Sequence, residues 1–339
     1  MKLLWLVAQF AVCAALIAHA GYSLSRSADC LAELLGWARG WVGLALLATV
    51  TSLPELASGI SAVTFVDAPN LAVGNALGAC VVNLAFLVVV DALQRHQPMY
   101  RTAAATHLLA AGFGVVMLGF VALAMIGGQR APALLHLGAY SPLLLGLYLL
   151  ALRSMHAHEA RVLAAADPRA GEGLPPLERA SRIRREWRRF GLAAAMVVVV
   201  GSWLPEAADQ LAGALGLSRS FVGTVFMALV TTLPEMAVTV GALRLGALDM
   251  AIGNLLGSNL FNVFILAVDD AFYTRGPLLV AASPVHLGTT VTALVMTGLV
   301  IVGLVMRPEG RVLRVTSWVS LGLLAAYAIN VTLLMLVGE

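Results

Sequence analysis

Charge is scarce in this chain. Of its 339 residues only 12% are Asp, Glu, Lys or Arg, against 60% hydrophobic, and at that ratio a soluble globule of this size lacks the polar surface it needs. Membrane is the solvent that fits. Cysteine is rare as well. Cys13, Cys30 and Cys80 stand in or beside apolar stretches at no metal-ligand spacing, which excludes a disulfide framework and leaves them as small buried hydrophobes. His-Glu-x-x-His, Gly-x-Ser-x-Gly and paired-aspartate protease patterns are missing too, which argues against an intramembrane enzyme working by general acid-base chemistry.

Apolar runs are abundant. A helix needs about 20 predominantly apolar residues to cross the hydrocarbon, and ten windows of roughly that length emerge: 3–23, 41–66, 71–93, 103–128, 134–152, 190–204, 221–243, 250–268, 278–306 and 315–337. The sixth is short and is expected to continue through Pro205 to about Leu215. The first ends in Ala18-His19-Ala20, which a signal peptidase would accept. Its positive flank is only Lys2, and the sixth window holds the same place in the second half, so it is read as a retained helix.

The basic residues set the expected topology. With loops assigned alternately to two sides, one side collects Arg26, Arg39, Arg95, Arg101, Arg244, Arg307, Arg311, Arg314 and nine arginines between Arg153 and Arg189, seventeen in all; the other has four, Lys2, Arg130, Arg219 and Arg275. The positive-inside rule then puts both termini outside and the 153–189 segment in the cytoplasm of an inner (plasma) membrane protein. That segment, carrying Pro168, Gly171, Gly173, Pro175 and Pro176, is the one candidate linker. The expected division is a first five-helix repeat over 1–152, a basic loop over 153–189 and a second five-helix repeat over 190–339. The arginines from Arg179 to Arg189 are read as a solvated anchor facing lipid headgroups rather than a nucleic-acid surface.

Self-comparison gives the strongest signal. Residues 41–55, ending in Thr51-Ser52-Leu53-Pro54-Glu55, align at an offset of 180 with residues 221–235, ending in Thr231-Thr232-Leu233-Pro234-Glu235. Ala28-Asp29 and Gly36 fall on Ala208-Asp209 and Gly216. After a one-residue deletion Gly74-Asn75, Gly78 and Asn83 fall on Gly253-Asn254, Gly257 and Asn262, so the motif spans 41–83 and 221–262. The copies begin five windows apart. Five is odd, so they enter the membrane from opposite sides, as the inverted repeats of secondary transporters do. The fold class expected is an all-α integral membrane protein of about ten transmembrane helices in two inverted five-helix repeats.

Within each copy the spacing carries chemistry. Pro54 and Pro234 lack the N–H a helix interior requires and displace the carbonyls of Val50 and Val230, so each helix breaks at mid-membrane. Freed backbone oxygens persist at that depth only when buried or lining a polar cavity. Glu55 lies three and four residues beyond Ser52 and Thr51, and Glu235 likewise beyond Thr232 and Thr231, so carboxylate, hydroxyl and backbone oxygens share one face. The following helices add Asn75, Ala79 and Asn83, matched by Asn254, Ser258 and Asn262. Singly, such hydroxyls and amides serve equally well as helix-packing groups. The two glutamates have no base at comparable depth. Buried carboxylates without a partner mark function, two of them repel, and a divalent cation cancels both charges; hard cations take several oxygens. Other acids read as anchors or caps: Asp29, Glu33, Glu206 and Asp209 near window ends, and Asp91, Asp269 and Asp270 at headgroup level. His19 and His107 read as packing or interhelical hydrogen-bond residues.

Thr-Ser-Leu-Pro-Glu with Gly-Asn-x-x-Gly-Ser-Asn-x-x-Asn, present twice in inverted halves, resembles the cation/calcium exchanger superfamily and within it the prokaryotic sodium/calcium exchanger-like branch. The resemblance implies alternating access around a central site with no resident cofactor, the transported ions being calcium and sodium, or protons in place of sodium. It implies Glu55 and Glu235 as ligands shared by calcium and sodium, backbone carbonyls of Thr51 and Thr231 on calcium, and hydroxyls of Ser52, Thr232 and Ser258 on sodium. Asn83 and Asn262 would lie beside the central ions, with Asn75 and Asn254 as accessory ligands. Partners are then cations and the lipid bilayer, with no nucleic acid. A channel or sensor is the competing class, yet channels commonly share filters between subunits, whereas this site is expected complete in one chain. The chain also departs from the family pattern. Val50 and Val230 replace glycine before each turn, Gly78-Ala79-Cys80 replaces Gly-Ser-Asn in copy one, and Asn262 stands where some relatives carry Asp.

Overall fold

Apart from a two-stranded hairpin (Ala133–Leu134 with Leu137–Gly138) and one isolated bridge, regular structure among the described residues is helical. Hydrocarbon dictates this, because a helix satisfies its backbone hydrogen bonds within itself. The structure is a computed structural model and describes residues 2–94, 97–128, 133–165, 176–215, 221–312 and 315–337; for 201–220 no side chain is described. The long helices are α1 (Lys2–Leu35), the interrupted α2 (Arg39–Thr64) and α3 (Pro69–Leu93), followed by the single turn α4 (Met99–Thr102), α5 (Thr106–Gly127), α6 (Tyr140–Ala165) and α7 (Pro176–Leu215). Then come the broken α8 (Thr224–Thr231 and Leu233–Arg244, bent by 45°), α9 (Leu248–Phe272), the single turn α10 (Leu278–Ala281), α11 (Val285–Met306) and α12 (Trp318–Val337). Six of these, α2, α3, α5, α9, α11 and α12, are long and apolar enough to cross a membrane, and the bent pair α8 makes seven.

The two copies of the motif fold alike, element for element. In the first, a π-turn of 6 residues leads to helical pieces of 4, 12, 25, 4 and 22 residues; in the second the lengths are again 6, 4, 12, 25, 4 and 22. Each break falls at the residue before Leu-Pro-Glu: Ser52 sits at φ −90°, ψ 8° and Thr232 at φ −79°, ψ 0°. Pro54 and Pro234 thereby occupy the first turn of a new helix, where the missing N–H costs nothing. The π-turns Val42–Leu47 and Val222–Met227 were not legible in the sequence.

Helices α3 and α9 form the centre. In the most apolar stretch of α9 89% of residues are buried and in that of α3 67%, against 28% for the peripheral α12. Each crosses the opposite copy's π-turn at backbone contact. A Cβ on Gly257 would lie 2.3 Å from the carbonyl oxygen of Leu44, and one on Gly78 2.3 Å from that of Thr224. Only glycine admits helices this close.

Three expectations change. The basic 153–189 segment is not a loop over most of its length: α6 runs on to Ala165 and α7 starts at Pro176, leaving 166–175 outside the described residues. The reason is docking on α1, where Ser27 donates to Glu186 at 3.2 Å and Arg179 donates to the Leu34 carbonyl at 3.1 Å, while Arg182, Arg185 and Arg188 stay exposed. The window 278–306 splits at Ser283-Pro284 into α10 and α11, and α6 starts at Tyr140 because the hairpin takes 133–138.

Third, Asp91, Asp269 and Asp270 do not reach headgroup level as solvated groups; all three are 0% exposed. Asp91 accepts from the backbone N–H of Met99 (2.9 Å) and Ser317 (2.7 Å) and from the hydroxyls of Thr316 and Ser320 (both 2.8 Å). Asp270 accepts from the N–H of Leu278 (2.7 Å) and Gly138 (2.9 Å) and from Tyr140 (2.6 Å) and Ser141 (2.5 Å) hydroxyls. Each carboxylate gathers helix starts whose N–H groups would otherwise be orphaned. Asp29 pairs with Arg39 and Glu33 is exposed; the side chains of Glu206 and Asp209 lie outside the described residues. His107 makes an interhelical hydrogen bond, its Nε2 lying 3.0 Å from Asp249 Oδ1, and His19 is exposed.

Candidate functional site

The two helix breaks face one another across α3 and α9. Thr51, Ser52, Glu55, Thr231, Thr232 and Glu235 are all 0% exposed, as are Asn83, Asn254, Ser258 and Asn262, with Asn75 at 2%. The cluster is therefore closed to solvent from both faces. No Lys, Arg or His among the described residues pairs with Glu55 or Glu235.

Hydrogen bonds cross between copies. Ser52 Oγ donates to Glu235 Oε1 at 2.7 Å. Thr231 Oγ1 meets Asn75 Oδ1 at 3.2 Å, and Thr51 Oγ1 meets Asn254 Oδ1 at 3.5 Å. Each asparagine turns its amide NH2 toward its own copy: Asn75 donates to Ser58 Oγ at 2.8 Å, and Asn254 to Thr239 Oγ1 and the Glu235 carbonyl, both at 3.2 Å. Ser58 and Thr239 were missed as site residues. They follow the glutamates by three and four positions, a helical spacing that was available as a signal.

The copies are unequal. Glu235 Oε1 also accepts from Ser258 Oγ at 3.3 Å, whereas among the described residues neither oxygen of Glu55 has a partner in hydrogen-bonding geometry. Two mirrored positions explain this: Thr232 turns its hydroxyl back to the Ala228 carbonyl at 2.8 Å, and Ala79 has none. Asn83 and Asn262 are buried with both amide ends unpartnered among the described residues, so the polar stripe reaches the cluster but is unsatisfied there. Cys80, which stands where the pattern has Asn in copy one, contacts Asn259, whose Nδ2 donates to the Cys80 carbonyl at 3.2 Å.

Chemically, the cluster offers carboxylate, hydroxyl, amide and backbone oxygens. Among the described residues no group of three His, Cys, Asp or Glu converges, and an all-oxygen donor set of this kind suits hard cations rather than thiophilic metals. Unpartnered buried carboxylates and amides are costly unless something fills the space between them.

The family model described as sodium/calcium exchanger protein matches residues 5–153 and 187–336, which include every residue of the cluster. The chain belongs to that family. It is an integral membrane cation antiporter, a transporter and not an enzyme. Among the family's relatives, Inner membrane protein YrbG of Escherichia coli is 27% identical over 267 residues, covering 78% of both chains. Putative antiporter CaxA of Alkalimonas amylolytica is 29% identical over 76% of this chain and 78% of its own. Sodium/calcium exchanger MaX1 of Methanosarcina acetivorans reaches 38%, over 30% of this chain and 28% of its own. In fold, the sodium-calcium exchanger NCX_Mj superposes with a TM-score of 0.71 at 19% identity, over 97% of this chain and 98% of that one.

Proposed function

We propose that this family member exchanges calcium for sodium by alternating access around Glu55 and Glu235. The observation that carries the reading is the crossed wiring of two buried half-sites, Ser52 to Glu235 and Thr231 to Asn75. A site assembled from both copies can be opened by rocking one copy against the other, exposing the same ligands to either side. The names of the relatives MaX1 and NCX_Mj, both sodium/calcium exchangers, point the same way.

Electrostatics supports exchange over one-way release. A divalent cation between the glutamates neutralises both; an empty, doubly ionised pair in hydrocarbon costs several kcal/mol. The pair is therefore reset by other cations before the empty site reorients. On this reading the carbonyls of Thr51 and Thr231 complete the calcium shell, Ser52, Thr232 and Ser258 serve sodium, and Asn83, Asn262, Asn75 and Asn254 line the ions. One observation favours a second reading, protons as counter-ion. Among the described residues Glu55 has no donor in hydrogen-bonding geometry and Ala79 provides none, so copy one is better fitted to a neutral acid than to a sodium shell.

The architecture proposed is ten spans in two inverted repeats, 1–152 and 190–339, joined through the basic 153–189 segment. Matching element lengths in the two copies support it, and the odd number of windows between them supports inversion. The seventeen-to-four distribution of basic residues supports termini outside and the basic segment in the cytoplasm of the inner membrane. The test is calcium-45 uptake into proteoliposomes driven by an outward sodium gradient, then by a pH gradient. Glu55→Gln and Glu235→Gln should each abolish uptake; uptake indifferent to both substitutions ends the central-site reading, and a response to the pH gradient alone selects protons.

A further inference from the structure

We propose that Asp269 is a further cation-holding carboxylate, placed between the central pair and the face at which α2 and α9 end; this rests on the exchanger reading above. Asp269 is 0% exposed and, among the described residues, neither of its carboxylate oxygens has a hydrogen-bond partner. Its neighbour Asp270 makes the contrast plain, since four donors hold it. A buried carboxylate with no donors is held by a proton or by a cation, because its bare charge in low dielectric is too costly.

Position puts it in line with the central cluster. Asp269 follows Asn262 by seven residues and Ser258 by eleven, so at 3.6 residues per turn all three lie within about 20° to 40° of one another around α9. The polar stripe is thus prolonged by two turns. Opposite stands Gly59 of α2, where a Cβ would lie 2.3 Å from Asp269 Oδ2. Gly59 is four residues past Glu55, one turn farther along the same face. The helices bearing Glu55 and Ser258 therefore bring a third carboxylate together beyond the first two, and a side chain at position 59 would close the gap it occupies.

Among the described residues, the ionic groups in the turns at this end are committed elsewhere. Asp67, in the turn after α2, pairs with Arg275, in the turn after α9; His136 Nε2 lies 3.2 Å from the Ala271 carbonyl. Asp269 makes no ion pair with either base. The position mirroring Asp269 in the first copy is Val90, so the route to the opposite face has no equivalent. A hard cation of the kind held by the central pair would displace a proton from Asp269 on its way to or from Glu55, and the carboxylate so freed is an oxygen ligand on that side only.

The experiment compares wild type with Asp269→Asn and Asp269→Val, the latter installing the mirrored residue, so that one variant remains should the amide disturb packing. Calcium dependence of exchange is measured separately from each face, in vesicles of both orientations. Expected is a loss of apparent calcium affinity of roughly tenfold at the α2/α9 end, with the other face unchanged; unchanged affinity at both faces, or an equal loss at both, overturns the proposal. Infrared difference spectra on adding calcium to the purified protein should contain a loss of protonated-carboxyl absorption that is smaller in Asp269→Asn than in wild type, and an undiminished loss in that variant overturns the proposal too. Exchange unaffected by Glu55→Gln would sink the central-site reading instead, and the infrared band, which needs no transport, separates the two failures.

Discussion

Ser52 of the first copy donates to Glu235 of the second at 2.7 Å, while Thr232, its mirrored counterpart, bonds back to the Ala228 carbonyl at 2.8 Å. One duplicated hydroxyl thus supports a carboxylate and the other supports its own helix. Hydrogen bonds to charged groups contribute about 1.5–3 kcal/mol, so Ser52→Ala is expected to weaken apparent ion affinity by about tenfold or more. Thr232→Ala should change apparent calcium affinity by under about threefold, since a back-bonded hydroxyl contributes little to the carboxylates. Ion titrations of exchange rate on the two variants check this; equal losses would mean that the asymmetry has no energetic weight.

Ala79 stands where the second copy has Ser258, the residue whose hydroxyl reaches Glu235 at 3.3 Å. Ala79→Ser should give Glu55 a donor worth about 0.5–1.5 kcal/mol and raise apparent sodium affinity about threefold. A shift toward sodium and away from pH coupling is the expected signature. Unaltered sodium dependence would assign the counter-ion role to protons.

Close glycine contacts should appear as stability. At Gly78 and Gly257 an added Cβ meets a backbone carbonyl at 2.3 Å, whereas at Gly146 nothing lies within 4 Å. Overpacking costs about 1–3 kcal/mol, and backbone cannot rotate aside as a side chain can. Gly78→Ala and Gly257→Ala are expected to lower the melting temperature in detergent, and Gly146→Ala to leave it unchanged or raise it slightly.

Asp91 and Asp270 should prove structural. Each holds two backbone N–H groups and two hydroxyls, all of which lose their acceptor in Asp91→Ala or Asp270→Ala. Leaving buried donors unsatisfied costs about 1–3 kcal/mol apiece, so both variants should melt at much lower temperature. Ion affinity of the folded fraction should stay within about twofold of wild type, because neither carboxylate belongs to the central cluster. A selective loss of ion affinity without loss of stability would contradict this assignment.

Much of the helical plan was legible, because in hydrocarbon an apolar run of sufficient length has one way to satisfy its backbone. The windows around 71–93, 250–268 and 103–128 correspond closely to α3, α9 and α5. The segment from Arg179 to Arg189 was not legible as helix. Its order comes from contacts with α1 at Ser27 and Leu34, about 150 residues away in sequence. Asp91 and Asp270 were misread for a similar reason: their donors come from α4, α10 and the starts of α6 and α12, and no local pattern announces them.

The feature determined by sequence alone is the duplicated break beside a carboxylate. Proline lacks its N–H and glutamate carries its charge wherever the chain runs, so Thr51 to Glu55 and Thr231 to Glu235 declare two bent, polar half-sites. How those halves are wired was decided only in the folded molecule. Ser52 and Glu235 are 183 residues apart and meet because α3 and α9 each lie against the opposite copy's π-turn. Among the described residues Glu235 is left with two hydroxyl donors and Glu55 with none, a difference set by which way Thr232 turns and by the methyl of Ala79.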